Sequence, residues 1–265
     1  MQKKKFLAVV LVAVTAVLFT ACQKDISSGV PSSTPSSNHD LFSEKGQNPD
    51  EQVFVQDGIS LLNPQEGYVY TESNDLSQNE ILIYKQSVNG SLSLMGTVSS
   101  GGKGSGEGLG SQGAVILDKS HNWLFAVNAG SNSISSFKVE SDGSLMLAHT
   151  AGSEGELPIS VSVYENVLYV VNASSDNIAG FSIDGDGMLT YLDGSNQSLS
   201  TSGAGAAQIS FSPNGSYLYV TEKATNMITT FAVDVNGVAS PGSSMPSVGA
   251  TPFGFEFARD KVMIV

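Results

Sequence analysis

Leu168-Tyr169-Val170-Val171-Asn172 (LYVVN) is an apolar, β-branched run closed by an asparagine, and three other segments align with it. They are Tyr68-Val69-Tyr70-Thr71-Glu72, Leu124-Phe125-Ala126-Val127-Asn128 and Leu218-Tyr219-Val220-Thr221-Glu222. The starts at 68, 124, 168 and 218 lie 44 to 56 residues apart. Each copy leads through a polar turn into a second apolar strand, and these strands end in Tyr84, Phe137, Phe181 and Phe231. Five residues after each aromatic stands Asn or Asp followed by Gly: Asn89-Gly90, Asp142-Gly143, Asp186-Gly187 and Asn236-Gly237. Such dipeptides supply the positive φ that a tight hairpin needs. A constant offset in four copies therefore predicts four equivalent hairpins.

A further strand follows each hairpin, as in Ser144 to His149, and another precedes the next copy. The latter are Ala114 to Leu117, Ile159 to Val163, Gln208 to Ser212 and Phe253 to Phe257. Four short antiparallel strands per repeat of roughly 45 residues is the period of a β-propeller blade. Helical solenoids share that period, but these segments are β-branched, aromatic and punctuated by glycine. The expected fold class is all-β, a propeller of four-stranded antiparallel blades. The 28 glycines and a charged fraction of 14% fit a chain of many tight turns.

The repeat also resembles a known family. Tyr219-Val220-Thr221-Glu222 is similar to the YVTN-type repeat, and Ser212-Pro213-Asn214-Gly215-Ser216-Tyr217-Leu218-Tyr219-Val220 to its SPDG turn and strand. From about residue 67 to 265 the chain resembles the lactonase-type seven-bladed β-propellers. These include bacterial 6-phosphogluconolactonase-like proteins and fungal carboxymuconate lactonizing enzymes. Gly110-Ser111-Gln112-Gly113-Ala114, Val127-Asn128-Ala129-Gly130-Ser131-Asn132 and Thr221-Glu222-Lys223-Ala224-Thr225-Asn226 resemble a secreted branch of it. The resemblance implies seven blades, of which about four are present. Lys261-Val262-Met263-Ile264-Val265 begins a fifth copy of the strand, and seven blades would need roughly 100 to 150 further residues. A truncated sequence is expected, with a four-bladed ring as the alternative. The activity implied is that of a lactone hydrolase or lactonizing enzyme on a small-molecule lactone or carbohydrate, with no cofactor.

Outside the repeat, Lys3, Lys4 and Lys5 precede an apolar run from Phe6 to Phe19, which leads into Thr20-Ala21-Cys22. This pattern reads as a signal peptide over 1–22. It resembles a bacterial lipoprotein signal in which Cys22 is lipidated and anchors the protein to the membrane. Phe19 departs from the usual leucine. A transmembrane anchor is the competing reading, for which the run is short. Cys22-Gln23-Lys24-Asp25 resembles an export tag that sends lipoproteins to the outer face of the outer membrane. Residues 23–56 are read as a flexible tether, poor in large apolar groups, and 57–265 as a partial propeller. A net charge of −13 repels polyanions, so no nucleic acid partner is expected.

By the up-and-down rule, one face of the propeller carries the turns after Asn128, Asn172 and Glu222 together with the connections between blades. This upper face usually bears a propeller's binding site. Ser99-Ser100-Gly101-Gly102-Lys103-Gly104-Ser105-Gly106-Glu107-Gly108-Leu109-Gly110 lies there. It looks like a phosphate cradle but fits neither phosphate motif and leads into no helix. Two readings stay open, a flexible linker and a lid that touches a ligand. Glu72, Asn128, Asn172 and Glu222 share one slot at the upper end of the second strand. They are candidate ligand-binding groups, as is Gln208; for the asparagines the alternative is an Asx turn. Glu222 with Lys223 suits lactone opening, the carboxylate activating water and the cation stabilising the oxyanion. His39, His121 and His149 are scattered, and the region where many family members carry histidine reads Gln112-Gly113, Pro158-Ile159, Ala207-Gln208 and Pro252-Phe253. No metal site is expected. Two functions follow, a lactonase-type enzyme and a non-catalytic surface propeller that binds a glycan or protein.

Overall fold

A computed structural model describes residues 66–258 and 262–265. The expected signal peptide over 1–22 with Cys22, the expected tether over 23–56 and His39 lie outside the described residues. All regular structure among the described residues is β-strand. The first sheet has the order β1 (Gly67–Glu72), β2 (Glu80–Gln86), β3 (Leu92–Ser99). The second runs β4 (Val115–Leu117), β5 (Trp123–Asn128), β6 (Ser133–Val139), β7 (Leu145–Gly152). The third runs β8 (Pro158–Tyr164), β9 (Val167–Asn172), β10 (Asn177–Ile183), β11 (Leu189–Tyr191), and β12 (Gln197–Ser198) also pairs with β10. The fourth runs β13 (Ala206–Phe211), β14 (Tyr217–Glu222), β15 (Met227–Ala232), β16 (Ser243–Pro246), and β17 (Glu256–Ala258) pairs with β18 (Val262–Ile264). Every pairing is antiparallel and, apart from that of β12 with β10, joins neighbours in sequence, which is the meander of a propeller blade.

In the second and third blades the LYVVN-type runs are buried along their length because both faces of those sheets are covered, whereas on β1 Tyr68 and Val69 stay exposed. On β5, Leu124 and Ala126 join Ile81, Ile83 and Phe137 in a core toward the first blade. Phe125 and Val127, on the other face, join Val161, Leu168, Val170 and Phe181 toward the third. On β9, Leu168 and Val170 belong to that core, while Tyr169 and Val171 join Ile209, Leu218, Val220 and Phe231 toward the fourth blade. The alternation along a strand thus sorts side chains between two neighbours, not between core and water.

The hairpins form at the expected offset, with a difference in type. Only the glycine takes positive φ: 82° at Gly90, 78° at Gly143, 80° at Gly187 and 82° at Gly237. The preceding Asn or Asp keeps an ordinary backbone. Gly143 N–H donates to Glu140 O, and Glu140 N–H to Ser144 O, the pattern of a type I turn closed by a glycine bulge. Gly143 has a second reason to be glycine, since a Cβ there would lie 2.3 Å from the Tyr68 ring of the preceding blade. The Tyr70 hydroxyl donates to Gly143 O at 2.9 Å, and Tyr169 likewise to Gly237 O at 2.7 Å. The second blade has Phe125 at that position, and its cross-strand partner Ser136 makes the bond to Gly187 O instead, at 2.6 Å.

Candidate functional site

The strand order places the ends of β1, β5, β9 and β14 on one face with the connections between blades. The four slot residues sit there, but three of them are sealed. Asn128 is fully buried. Its Oδ1 accepts the Ser100 hydroxyl at 2.5 Å, and its Nδ2 donates to Ser135 Oγ at 2.8 Å. Glu222 is also fully buried. Its carboxylate accepts the Ser200 N–H at 3.1 Å, the Ser200 hydroxyl, the Thr225 hydroxyl at 2.7 Å and the Thr229 hydroxyl at 2.5 Å. In both blades a serine from the preceding connection and a hydroxyl seven residues downstream clamp the slot. Asn172, equally buried, donates to Ser153 O at 3.0 Å, and its Oδ1 has no partner among the described residues. In the fourth blade the Thr229 hydroxyl, seven residues on from Glu222, donates to the slot carboxylate; the residue seven on from Asn172 is Ala179, which has no hydroxyl to donate.

These positions correct several expectations. Asn128 and Asn172 are neither exposed ligand contacts nor Asx caps; their side chains join blades. Glu222 is fully buried with four donors on its carboxylate, which makes it a poor candidate for the general base. Lys223, beside it in sequence, points elsewhere. Its Nζ donates to Gly110 O and lies 5.3 Å from the centre of the Phe253 ring, and burial pulls its ammonium below the ordinary lysine value. Gln208 is half-buried and paired by both amide atoms to the backbone of Phe255, at 2.8 and 3.1 Å. It also lines a cavity with Gln112, Gly254 and Glu256, so its pairing with Phe255 leaves the expected ligand contact open.

The fourth slot differs. Glu72 is only half-buried and lines a cavity of about 470 Å³ with Ser73, Asn74, Asp75 and the glycine-rich residues Gly106 to Leu109. Burial pushes its carboxyl up to about 7, against an opposing pull from a hydrogen bond donated by Asn79. A carboxyl poised there takes and gives protons at neutral pH. Asp75, in the same cavity, is held below the usual carboxylate range by the Ser77 hydroxyl and N–H.

The glycine-rich run forms the facing wall, and it is neither a free linker nor a phosphate cradle. Its central N–H groups are spent on protein acceptors: Gly104 on Asp75 O, Gly106 on Asn74 O, and Ser105 on Asn74 Oδ1 at 2.8 Å. Gly104 has no space for a side chain, since a Cβ would come within 2.0 Å of the Asn74 backbone. Glycine is there so that two backbones can touch. Beyond the cavity, Leu109 packs against the cores on both sides of the third blade, and the Ser111 hydroxyl bonds Ile159 O at 2.8 Å. Lys223 thus holds Gly110, the residue that follows the cavity wall. His121, in the turn after β4, and His149, on β7, do not line the cavity.

Sequence reasoning missed Asn79, the fully buried residue that bonds Glu72. It precedes β2 after a turn three residues longer than those of the other blades, and no local pattern marks it.

A sequence model of the family described as lactonase, 7-bladed β-propeller, matches residues 60–199 and 190–265. Among solved structures, the chain is similar to a 6-phosphogluconolactonase candidate from Bacteroides uniformis, at 20% identity and a TM-score of 0.50 over 74% of this chain and 73% of that one. It is also similar to the periplasmic gluconolactonase of Pseudomonas aeruginosa, at 17% identity and a TM-score of 0.56, over 74% of this chain and 58% of that one. A protein from Lactobacillus plantarum matches at 17% identity and a TM-score of 0.53, over 71% of this chain and 55% of that one. Curated proteins yield no match.

Proposed function

Because the chain belongs to the lactonase family of seven-bladed β-propellers, we propose that its upper face opens the ring of a small, uncharged sugar-type lactone, with the Glu72 carboxylate as general base. The observation that carries this reading is the Glu72 cavity: a carboxyl held near 7 on the wall of an open space. Glu72 takes a proton from water as the water oxygen bonds the ring carbonyl carbon. The ring C–O bond then breaks, and the proton returns to the departing ring oxygen, giving the open hydroxy acid. Water is consumed and no redox change occurs.

The charge of the cavity favours a neutral substrate. Glu72, Asp75 and Glu107 line it, and the glycine run offers a phosphate no free cradle. A phosphorylated lactone would meet like charge at short range. The test is a pH–rate profile on gluconolactone, corrected for its spontaneous hydrolysis. The rate should rise through about pH 7 as Glu72 ionises, Glu72→Gln should abolish that limb, and 6-phosphogluconolactone should react more slowly. A profile flat through neutrality, or unaltered by Glu72→Gln, would sink the assignment.

One observation favours a second reading, a non-catalytic surface propeller that binds a glycan or protein: three of the four slots are sealed. Its mark would be no turnover of any lactone by the full-length protein together with saturable binding. In either reading the signal pattern supports a lipid on Cys22 that holds the protein at the cell envelope. Cys22→Ser should move it from the detergent phase to the aqueous phase, and unchanged partitioning would refute the anchor.

A further inference from the structure

We infer that Asn79 is a positioning residue for this reaction, its side-chain amide fixing the Glu72 carboxyl and tying it to the second blade. The inference rests on the reading of Glu72 as the base. Asn79 is fully buried. Its Nδ2 lies 3.2 Å from Glu72 Oε2, 3.0 Å from Val127 O and 3.2 Å from Asn128 Oδ1. Its Oδ1 accepts the Asn74 N–H at 2.9 Å and the Ser73 hydroxyl at 3.4 Å. One amide thus joins the end of β1, the turn that follows it and the end of β5.

The chemistry of that bond has a direction. An amide N–H donates, and an ionised carboxylate accepts more strongly than a neutral acid. Burial favours the neutral acid and Asn79 favours the anion, so Glu72 rests between the two. The other charged groups nearby are Asp75 and Glu107 on the cavity wall, Glu80 at the start of β2, which accepts the Thr97 hydroxyl, and Lys103, exposed in the glycine run. None of them bonds Glu72 among the described residues. Asn79 is the group set to keep the base ionised in a substrate-ready position.

Asn79→Asp keeps the shape and the acceptor but removes the donor; Asn79→Ala removes both. In the full-length protein, the Glu72 side-chain carboxyl is followed by carbon-13 NMR as pH is varied, a readout independent of turnover. The midpoint should move upward by about one pH unit in either variant, and the neutral limb of the rate profile should move with it. Asn128→Ala is the control. It breaks the same buried network without removing a bond to Glu72, so it should lower stability and leave the midpoint in place. An unchanged midpoint in a folded Asn79 variant would overturn the inference. The wild-type protein supplies a check that needs no variant: the Asn79 side-chain amide protons should shift with the Glu72 midpoint, and amide protons that stay still would also overturn it. Failure of Glu72→Gln to alter turnover would instead remove the catalytic reading, while leaving the coupling of the two groups intact.

Discussion

The slot at the end of the first blade and the slot at the end of the fourth hold the same residue type on the same strand position, yet they hold it differently. Glu222 is closed in by Ser200, Thr225 and Thr229, with four hydrogen bonds to one carboxylate. Glu72 has one side-chain donor, Asn79, and a cavity in front of it. A buried carboxylate with every lone pair engaged is part of the scaffold. A half-buried carboxyl with one donor is free to exchange a proton. Residue type and register therefore do not decide function here; the neighbours three-dimensionally opposite do.

The wall that makes the first slot a cavity gives the largest expected effect. Gly104→Ala puts a methyl group against the Asn74 backbone, which cannot yield as a flexible side chain would. A loss of about 3 kcal/mol is expected, read from a denaturant melt. A variant as stable as wild type would mean that the glycine run does not pack on the first blade.

The pH dependence of stability sharpens the contrast between the two carboxyls. The folded value for Glu72, about 7, lies above its ordinary 4.5. Between those values the folded protein keeps a proton that the unfolded chain has released, so stability falls as pH rises through that window. Glu72→Gln should remove this decline and be more stable than wild type above pH 7, by about 2 kcal/mol. Parallel melting curves at pH 5 and pH 8 check it, and an equal fall in both proteins would contradict the environment assigned to Glu72.

The smallest effect comes from the third blade. Ala179→Ser would place in the third blade a hydroxyl like the one Thr229 donates to Glu222 in the fourth, and give the orphaned Asn172 Oδ1 a donor. A gain of about 1 kcal/mol is expected. Destabilisation would show that the third slot is not a depleted copy of the fourth.

Much of the fold was legible because its signals are local. The aromatic-to-glycine offset marked the four hairpins, and the LYVVN-type runs marked strands β1, β5, β9 and β14. The turn type was less legible, because Asn-Gly and Asp-Gly serve both two-residue turns and glycine bulges. The site was legible only as a position. Glu72, Asn128, Asn172 and Glu222 were recognisable as equivalent, but what surrounds them comes from the preceding blade connection, as with Ser100 bonding Asn128 and Ser200 bonding Glu222. Lys223 adjoins Glu222 in the chain, yet β14 ends at Glu222 and Lys223 opens the turn that follows, from which its side chain reaches Gly110. That geometry, and not their spacing, separates them. The glycine run resembled a phosphate loop in composition because both need bare backbone, one to meet an anion and the other to meet Asn74.

The central claim, that the first slot works and the fourth holds, is tested most directly by measuring turnover and melting together in Glu72→Gln and Glu222→Gln of the full-length protein. Glu72→Gln should fold and lose about 10²- to 10⁴-fold in kcat, with KM little changed. Glu222→Gln should melt earlier, by about 2 kcal/mol, while its folded fraction turns over lactone at the wild-type rate. A folded Glu222→Gln without turnover, beside an active Glu72→Gln, would contradict the account.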